Sequence, residues 1–294
     1  MMKEEKISLY NGEVEVLFKE NKDTGYHAYF ITDEKNGLKA KRGRGVTSVI
    51  AIKDKSAPLT IWATETMRDY LIDNFLKEEK PITYDDIVKA SVEYKKVKDN
   101  AANIGDEIHG WIERFIRHTL EEKGFEKVPE IPKRKEIKIG ISAFLDWVNE
   151  NDVKFISTEK ILYSREHGFV GKMDIEAMVN GLRALIDIKT SNGIYNTVKM
   201  QTAAYAKADM EENPKNKYQT RWALRLAKET ESEYLEKMKK KGKEKFAEYK
   251  VFEAREFPEN EDDNIETDFK AFLNCKGLFE WDQKTDFYKI DNAK

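Results

Sequence analysis

The chain has 294 residues, 40% hydrophobic and 36% charged, enough for one large domain or two small ones with a buried core. Lysine and arginine total 52 against 55 acidic residues, a formal net charge of −3, which excludes a uniformly basic, histone-like nucleic-acid binder but leaves room for a local basic groove. Cys275 is the single cysteine, which excludes an intramolecular disulfide, a four-cysteine zinc site and a four-cysteine iron–sulfur cluster.

The start, MMKEEKISLY, is charged and has no apolar h-region, so no signal peptide is expected. No run of about 18 apolar residues predicts a membrane span. A cytoplasmic protein with no membrane partner is the expectation. Residues 13–18 and 27–32 flank the turn-like NKDTG and read as a hairpin. Lys39, Lys41, Arg42 and Arg44 follow as a basic arm, and GVTSVIAI, rich in β-branched residues, reads as a short extended segment. Pro58 opens a helical pattern to about residue 77, with Ile61, Trp62, Thr64, Met67, Tyr70, Leu71 and Phe75 facing inward. A long helix is predicted from about Asp85 to Thr119 and another from Lys133 to Glu150.

The apolar period then changes to two. Strands are predicted over 153–163, 168–179 and 182–190, a helix over 196–212, and a strand over 218–227. ESEYLEKMKKKGKEKF reads as a long exposed connection, 247–257 as a last strand and 264–279 as a last helix. Helices flanking a mostly antiparallel strand cluster make this a mixed α/β (α+β) chain. No repeat of 20–50 residues is present.

Asn180-Gly181 between two β-like runs is a strong hairpin signal and predicts a two-residue type I′ turn. Val179 then faces Leu182, Ala177 faces Ala184, Ile175 faces Ile186 and Met173 faces Ile188, giving one apolar face. On the other face the same register sets Asp174 across from Asp187, with Lys189 two residues further along. Opposed like charges destabilise a sheet unless something neutralises them. A divalent cation with oxygen ligands would do so, as Mg²⁺ or Mn²⁺. The alternative is a solvated face on which Lys172, opposite Lys189 in this register, shares the neutralisation, with Glu176 and Arg183 beside it.

Four motifs stand in order around this hairpin: Gly105…His109 in a helix, Gly171…Asp174 in a strand, Asp187-Ile188-Lys189 in the next strand, and Gln201…Tyr205 in the next helix. In this order the residues resemble the PD-(D/E)xK nuclease superfamily, specifically its RecB-like branch, over residues 103–227. Val46-Thr47-Ser48-Val49-Ile50 and Trp62-Ala63 are similar, more loosely, to the opening of the phage and mitochondrial genome-maintenance exonucleases of that branch. The resemblance implies a nuclease core with a central, mostly antiparallel or mixed sheet flanked by helices. It also implies a single nuclease domain over 45–294, preceded by the hairpin and basic arm at 1–44.

The resemblance further implies Asp174, Asp187 and His109 as metal ligands, with the backbone carbonyl of Ile188 as an additional one. Lys189 would orient or activate the attacking water and stabilise the transition state. Gln201 and Tyr205 would contact DNA or steady that lysine, and a half-buried helix face is the plain alternative. Gly171 would allow close backbone approach, and a strand bulge is equally open. Glu159 resembles an acidic position beside the site, or pairs with Lys160 or Arg165. Thr47 and Ser48 would bind a phosphate, or simply begin a strand. Arg42, Arg44 and the six lysines between Lys237 and Lys245 would track phosphates, or lie on solvated loops. Trp62 and Trp111 read as core rather than as base-stacking platforms, and His27, His118 and His167 match no motif.

The implied activity is hydrolysis of DNA phosphodiesters with one or two Mg²⁺ or Mn²⁺ ions, leaving a 5′-phosphate. Exonuclease action on single-stranded or end-bearing DNA is the expectation for this branch, in a bacterial cell or phage-infected host. No nucleotide cofactor is expected, and no G-x-x-x-x-G-K-[ST] occurs that would mark a helicase motor. A replication or recombination protein is the partner such enzymes suggest. A restriction-type or structure-specific endonuclease, or a non-catalytic DNA-end-binding scaffold on the same fold, are the alternatives.

Overall fold

The Asn180–Gly181 turn anchors the larger sheet. Both residues have positive φ, 50° and 82°, the backbone that a type I′ turn demands. Around it, a computed structural model describes residues 2–21, 23–261 and 263–285. Lys22, in the expected NKDTG turn, and residues 286–294 lie outside them. Among the described residues the chain forms seven α-helices and two sheets, of four and five strands, a mixed α/β architecture.

The five-stranded sheet runs in sequence order through β5 (Val153–Ser164), β6 (Phe169–Val179), β7 (Leu182–Lys189), β8 (Thr220–Leu226) and β9 (Phe252–Glu256). β7 and β8 are parallel and joined through helix α5 (Thr197–Glu212); the other neighbours are antiparallel. The predicted register holds from Val179↔Leu182 to Ile175↔Ile186 and stops there. Asp174 with Asp187, Met173 with Ile188 and Lys172 with Lys189 therefore lie beyond the last paired position. The physical reason is local: the Ile188 amide donates to Asp174 Oδ2 at 2.8 Å instead of continuing the backbone ladder.

The four-stranded sheet extends the expected hairpin. β2 (Val14–Asn21) and β3 (His27–Asp33) pair as predicted, flanked by β1 (Met2–Leu9) and β4 (Leu38–Arg42). The basic arm is thus partly an edge strand. Val14, Val16, Phe18, Tyr29 and Ile31 bury one face of this sheet against Ile161, Tyr163 and Val170 of β5 and β6. Each such side chain contributes about 1.5–3 kcal/mol of burial. Arg165 ties the two sheets, donating to Asp33 Oδ2 at 2.8 Å and Oδ1 at 2.7 Å.

GVTSVIAI is not extended. Val46–Ile50 form the short helix α1, and Val46, Val49 and Ile50 are buried with Tyr205 and the alanines of α5 and with Phe269 and Phe272 of α7 (Ile265–Thr285). Tertiary burial here overrides β-propensity. The expected exposed connection after residue 230 contains α6 (Glu231–Lys240), started by a capping box between Thr230 and Glu233.

By its internal contacts the chain divides into two compact units, Met1–Ile52 with Trp111–Lys294, and Lys53–Gly110. The N-terminal sheet and the larger sheet fall in the same unit. The second unit holds α2 (Ser56–Asn74) and the first part of α3 (Tyr84–Thr119). The inward face predicted for α2 is not buried: none of its residues is, and Ile61 and Thr64 are exposed. Ile87 and Val92 of α3 are exposed as well, whereas Ile104 and Ile108 are buried. Trp62 meets Tyr94 edge-on at 6.2 Å. α4 spans Lys135–Glu150 and buries Ile137, Ile141, Phe144 and Trp147. No described helix is long and apolar enough to cross a membrane.

Candidate active site

Three elements carry the site: β6 supplies Asp174, β7 supplies Asp187 and Lys189, and α5 supplies Gln201 and Tyr205. Strand alternation puts Asp187 and Lys189 on one face of β7. Asp187 is 1% exposed, and Lys189 Nζ lies 2.5 Å from its Oδ2. The solvated face is thereby corrected for the aspartate, which is buried, while its lysine partner is half-buried.

Lys189 Nζ also donates to Gln201 Oε1 at 3.3 Å, and Gln201 Nε2 donates to the Tyr205 hydroxyl at 3.2 Å. The four-residue spacing that places Gln201 and Tyr205 on one helical face thus builds a relay from a buried tyrosine to the lysine. Tyr205 in turn packs on Gly171. A Cβ at Gly171 would collide with Tyr205 Cε1 and lie 3.2 Å from Val46 Cγ2, so the glycine provides room. The bulge reading is not needed there, since β5 and β6 pair regularly through Leu162↔Gly171.

Asp174 is fixed twice. Its carboxylate accepts from the Ile188 amide, and its backbone carbonyl accepts from Thr158 Oγ1 at 2.9 Å. Ile188 itself is buried. Across from Asp174 on β5 stands Glu159, between the pairs Thr158↔Ile175 and Lys160↔Met173. Glu159 has φ of 52°, a left-handed backbone uncommon for such a residue and concentrated at functional positions. It forms an ion pair with Lys172, while Lys160 goes to Asp209 at 2.6 Å and Arg165 to Asp33. Both bland partners expected for Glu159 are therefore engaged elsewhere. His109 lies on α3, in the Lys53–Gly110 unit.

Burial raises the Asp174 carboxyl above its ordinary value, against the opposing pull of Lys189, the Ile188 amide and Lys172. Burial also works against the Lys189 ammonium, but Asp187 and Asp174 outweigh it and raise its pKa. Lys189 is consequently a cation, suited to hold negative charge rather than to take up a proton. Lys172 follows the same logic, with burial outweighed by Glu159. Burial, then Asp187 and Asp174, push the Tyr205 hydroxyl well above its ordinary value, so it stays neutral. Three carboxylates face two ammonium groups, an excess of negative charge. Carboxylate oxygens and a backbone carbonyl are donors of the kind that suit Mg²⁺ or Mn²⁺.

The remaining candidates lie on other elements. Thr47 and Ser48 are exposed on α1. Arg44 pairs with Glu280 at 2.5 Å, and its backbone carbonyl accepts from the Val170 amide. Arg42 bonds the Tyr26 hydroxyl and lies over its ring. Of the lysine run, Lys237 pairs with Glu229 at 3.2 Å and Lys240 with Glu236 at 3.6 Å. Trp111 is core, 2% exposed, its indole donating to the Pro129 carbonyl. Sequence reasoning did not single out Thr158, and it set Lys172 opposite Lys189 rather than against Glu159. Neither a protein-family model nor a curated protein matches this chain.

Proposed function

We propose that this chain is a metal-dependent deoxyribonuclease of the RecB-like PD-(D/E)xK type, acting as an exonuclease on single-stranded or end-bearing DNA. The observation that carries the reading is the buried Asp187 paired with the half-buried Lys189 beside Asp174, with Gln201 and Tyr205 holding the lysine. Ordinary core packing gives no reason to bury these charges together, because buried ion pairs are weak sources of stability.

Asp174 and Asp187, with the Ile188 carbonyl, would hold one or two Mg²⁺ or Mn²⁺ ions, and such an ion would polarise a scissile phosphodiester and lower the pKa of a bound water. Glu159 is a further carboxylate ligand or orients one. Lys189 places its positive charge where negative charge develops on the phosphate. Asp187 and Gln201 fix the direction of that ammonium, and Tyr205 fixes Gln201. Gly171 makes the space in which Tyr205 sits. DNA is the partner, and a cytoplasmic role in replication, recombination or repair goes with this reading.

End-labelled linear strands, duplexes and circular DNA, each incubated with Mg²⁺ or Mn²⁺, test it. Loss of linear but not circular DNA is the expected result. Cutting of circles would replace the exonuclease with an endonuclease. DNA binding without cleavage under either metal would leave a scaffold.

A further inference from the structure

The relay to Lys189 uses one face of α5. A second feature lies on the other side of the first turn of the same helix. There, a cavity of about 260 Å³ is lined by Tyr195, Asn196, Lys199, Arg255, Phe257 and Asp263, among others. None of these belongs to the candidate active site.

The sheet register gives the spacing. Asp187 pairs with Ala223 on β8, and Ala223 pairs with Arg255 on β9. Adjacent strands lie about 4.7–4.9 Å apart, so the Arg255 backbone is about 10 Å from that of Asp187. Lys189 likewise pairs with Arg225 on β8. Arg225 pairs in turn with Glu253 on β9, so Arg255 stands two residues along from that row, in line with Asp187. About 10 Å is the rise of three stacked nucleotides along one strand.

The lining suits a nucleotide. Tyr195 is 62% exposed, although it precedes the helix by only two residues and an aromatic ring gains by burial. Phe257 is buried beneath, packed with Val198 and Ala223. Lys199 and Arg255 add two cations, and Asn196 adds an amide. Each cation has a carboxylate partner: Lys199 pairs with Asp263 and, at 3.8 Å, with Asp268, and Arg255 pairs with Glu253 at 2.6 Å. Glu256 also borders the cavity, its carboxylate engaged by Thr220. The Arg255–Glu253 pair is half-exposed, and exchange of such a partner for a phosphate costs little. The volume falls just below the roughly 300 Å³ at which small-molecule sites begin, so the cavity suits one unit of a polymer.

We propose that this cavity is a subsite for single-stranded DNA, in which Tyr195 stacks on one base while Arg255 and Lys199 contact the phosphate beside it. The inference rests on the nuclease reading for the position of the cut, and names single-stranded DNA as the substrate that reaches the site.

Oligothymidylate is the probe, used with the full-length chain and with Tyr195→Ala, Tyr195→Phe and Arg255→Ala. Anisotropy in chelator gives Kd, and cleavage with Mg²⁺ gives KM and kcat. Tyr195→Ala raises Kd and KM on the order of ten-fold, as loss of one stacked base does, with kcat retained and Tyr195→Phe restoring both. A single abasic residue at one position of the strand costs the parent protein a similar factor and costs Tyr195→Ala nothing more. Arg255→Ala lowers the slope of log Kd against log salt by about 0.7, one phosphate contact on a single strand. Unchanged Kd, KM and slope, with cleavage intact, overturn the subsite and leave the nuclease. Binding that depends on Tyr195 and Arg255 without any cleavage keeps the subsite and overturns the nuclease. No binding of the strand by the parent protein overturns the subsite outright.

Discussion

Gly171→Ala pushes a methyl carbon into Tyr205 Cε1, 3.0 Å from Cδ1 and 3.2 Å from Val46 Cγ2. Tyr205 is 3% exposed and Val46 1%, both inside the cluster built from α1, α5 and α7. Neither can move aside into solvent. Overpacking of this kind costs about 1–3 kcal/mol. At about 2–4 °C per kcal/mol in a domain of roughly 150–250 residues, Tm falls by at least about 2 °C. The assay is urea unfolding of four proteins: parent, Gly171→Ala, Tyr205→Ala and the double variant. Tyr205→Ala alone costs about 3–5 kcal/mol by emptying its site. In that background the added methyl meets no ring, so the double variant costs less than the two single costs together, by about 0.5–3 kcal/mol. Additive costs would refute the claim that Gly171 exists to seat Tyr205.

Gln201→Met removes the amide between Tyr205 and Lys189; kcat falls by up to about 10²-fold while KM holds, as expected for a misplaced reacting group. A rise in KM with kcat preserved would instead make Gln201 a DNA contact. Arg165 holds the Asp33 carboxyl below the usual carboxylate range through its hydrogen bonds. The folded pKa is below the unfolded one, so this stabilisation is present above pH about 4 and is lost as pH falls through the folded value. Asp33→Asn flattens the acid side of the stability curve in that window, and an unchanged curve would count against the pair. Thr230→Ala removes the capping box of α6 and costs about 1 kcal/mol of local helix stability, read as faster amide exchange in its first turn; unchanged exchange would show that packing holds the helix.

Much of the larger sheet was legible because its signals are local. Asn180-Gly181 dictates its turn, and the apolar alternation on either side confirms the register as far as Ile175 and Ile186. The motif spacing on α5 was legible for the same reason, since four residues return a helix to one face. What the sequence did not show is where a side chain displaces a backbone partner. Asp174 takes the Ile188 amide, and the aspartates cease to be a ladder pair. Nor did it show that β-branched Val46–Ile50 would coil into a helix, because that choice belongs to α5 and α7, which cover it. The inward face expected of α2 followed apolar spacing, yet none of its residues is fully buried: Trp62, Met67, Tyr70 and Leu71 are half-buried, and Ile61 and Thr64 are exposed. For α6 the signal was present in Thr230 and Glu233, and the lysine run concealed it.

The central claim is that Asp174, Asp187 and Lys189 form one hydrolytic site. Single-turnover cleavage of an end-labelled strand tests it most directly, with parent, Asp187→Asn and Lys189→Met at equal concentration, and with Mg²⁺ present or chelated. The account predicts metal-dependent cleavage by the parent, and a loss of at least about 10²-fold in each variant, while all three proteins unfold cooperatively. Cleavage that survives in both variants, or that persists in chelator, would contradict it.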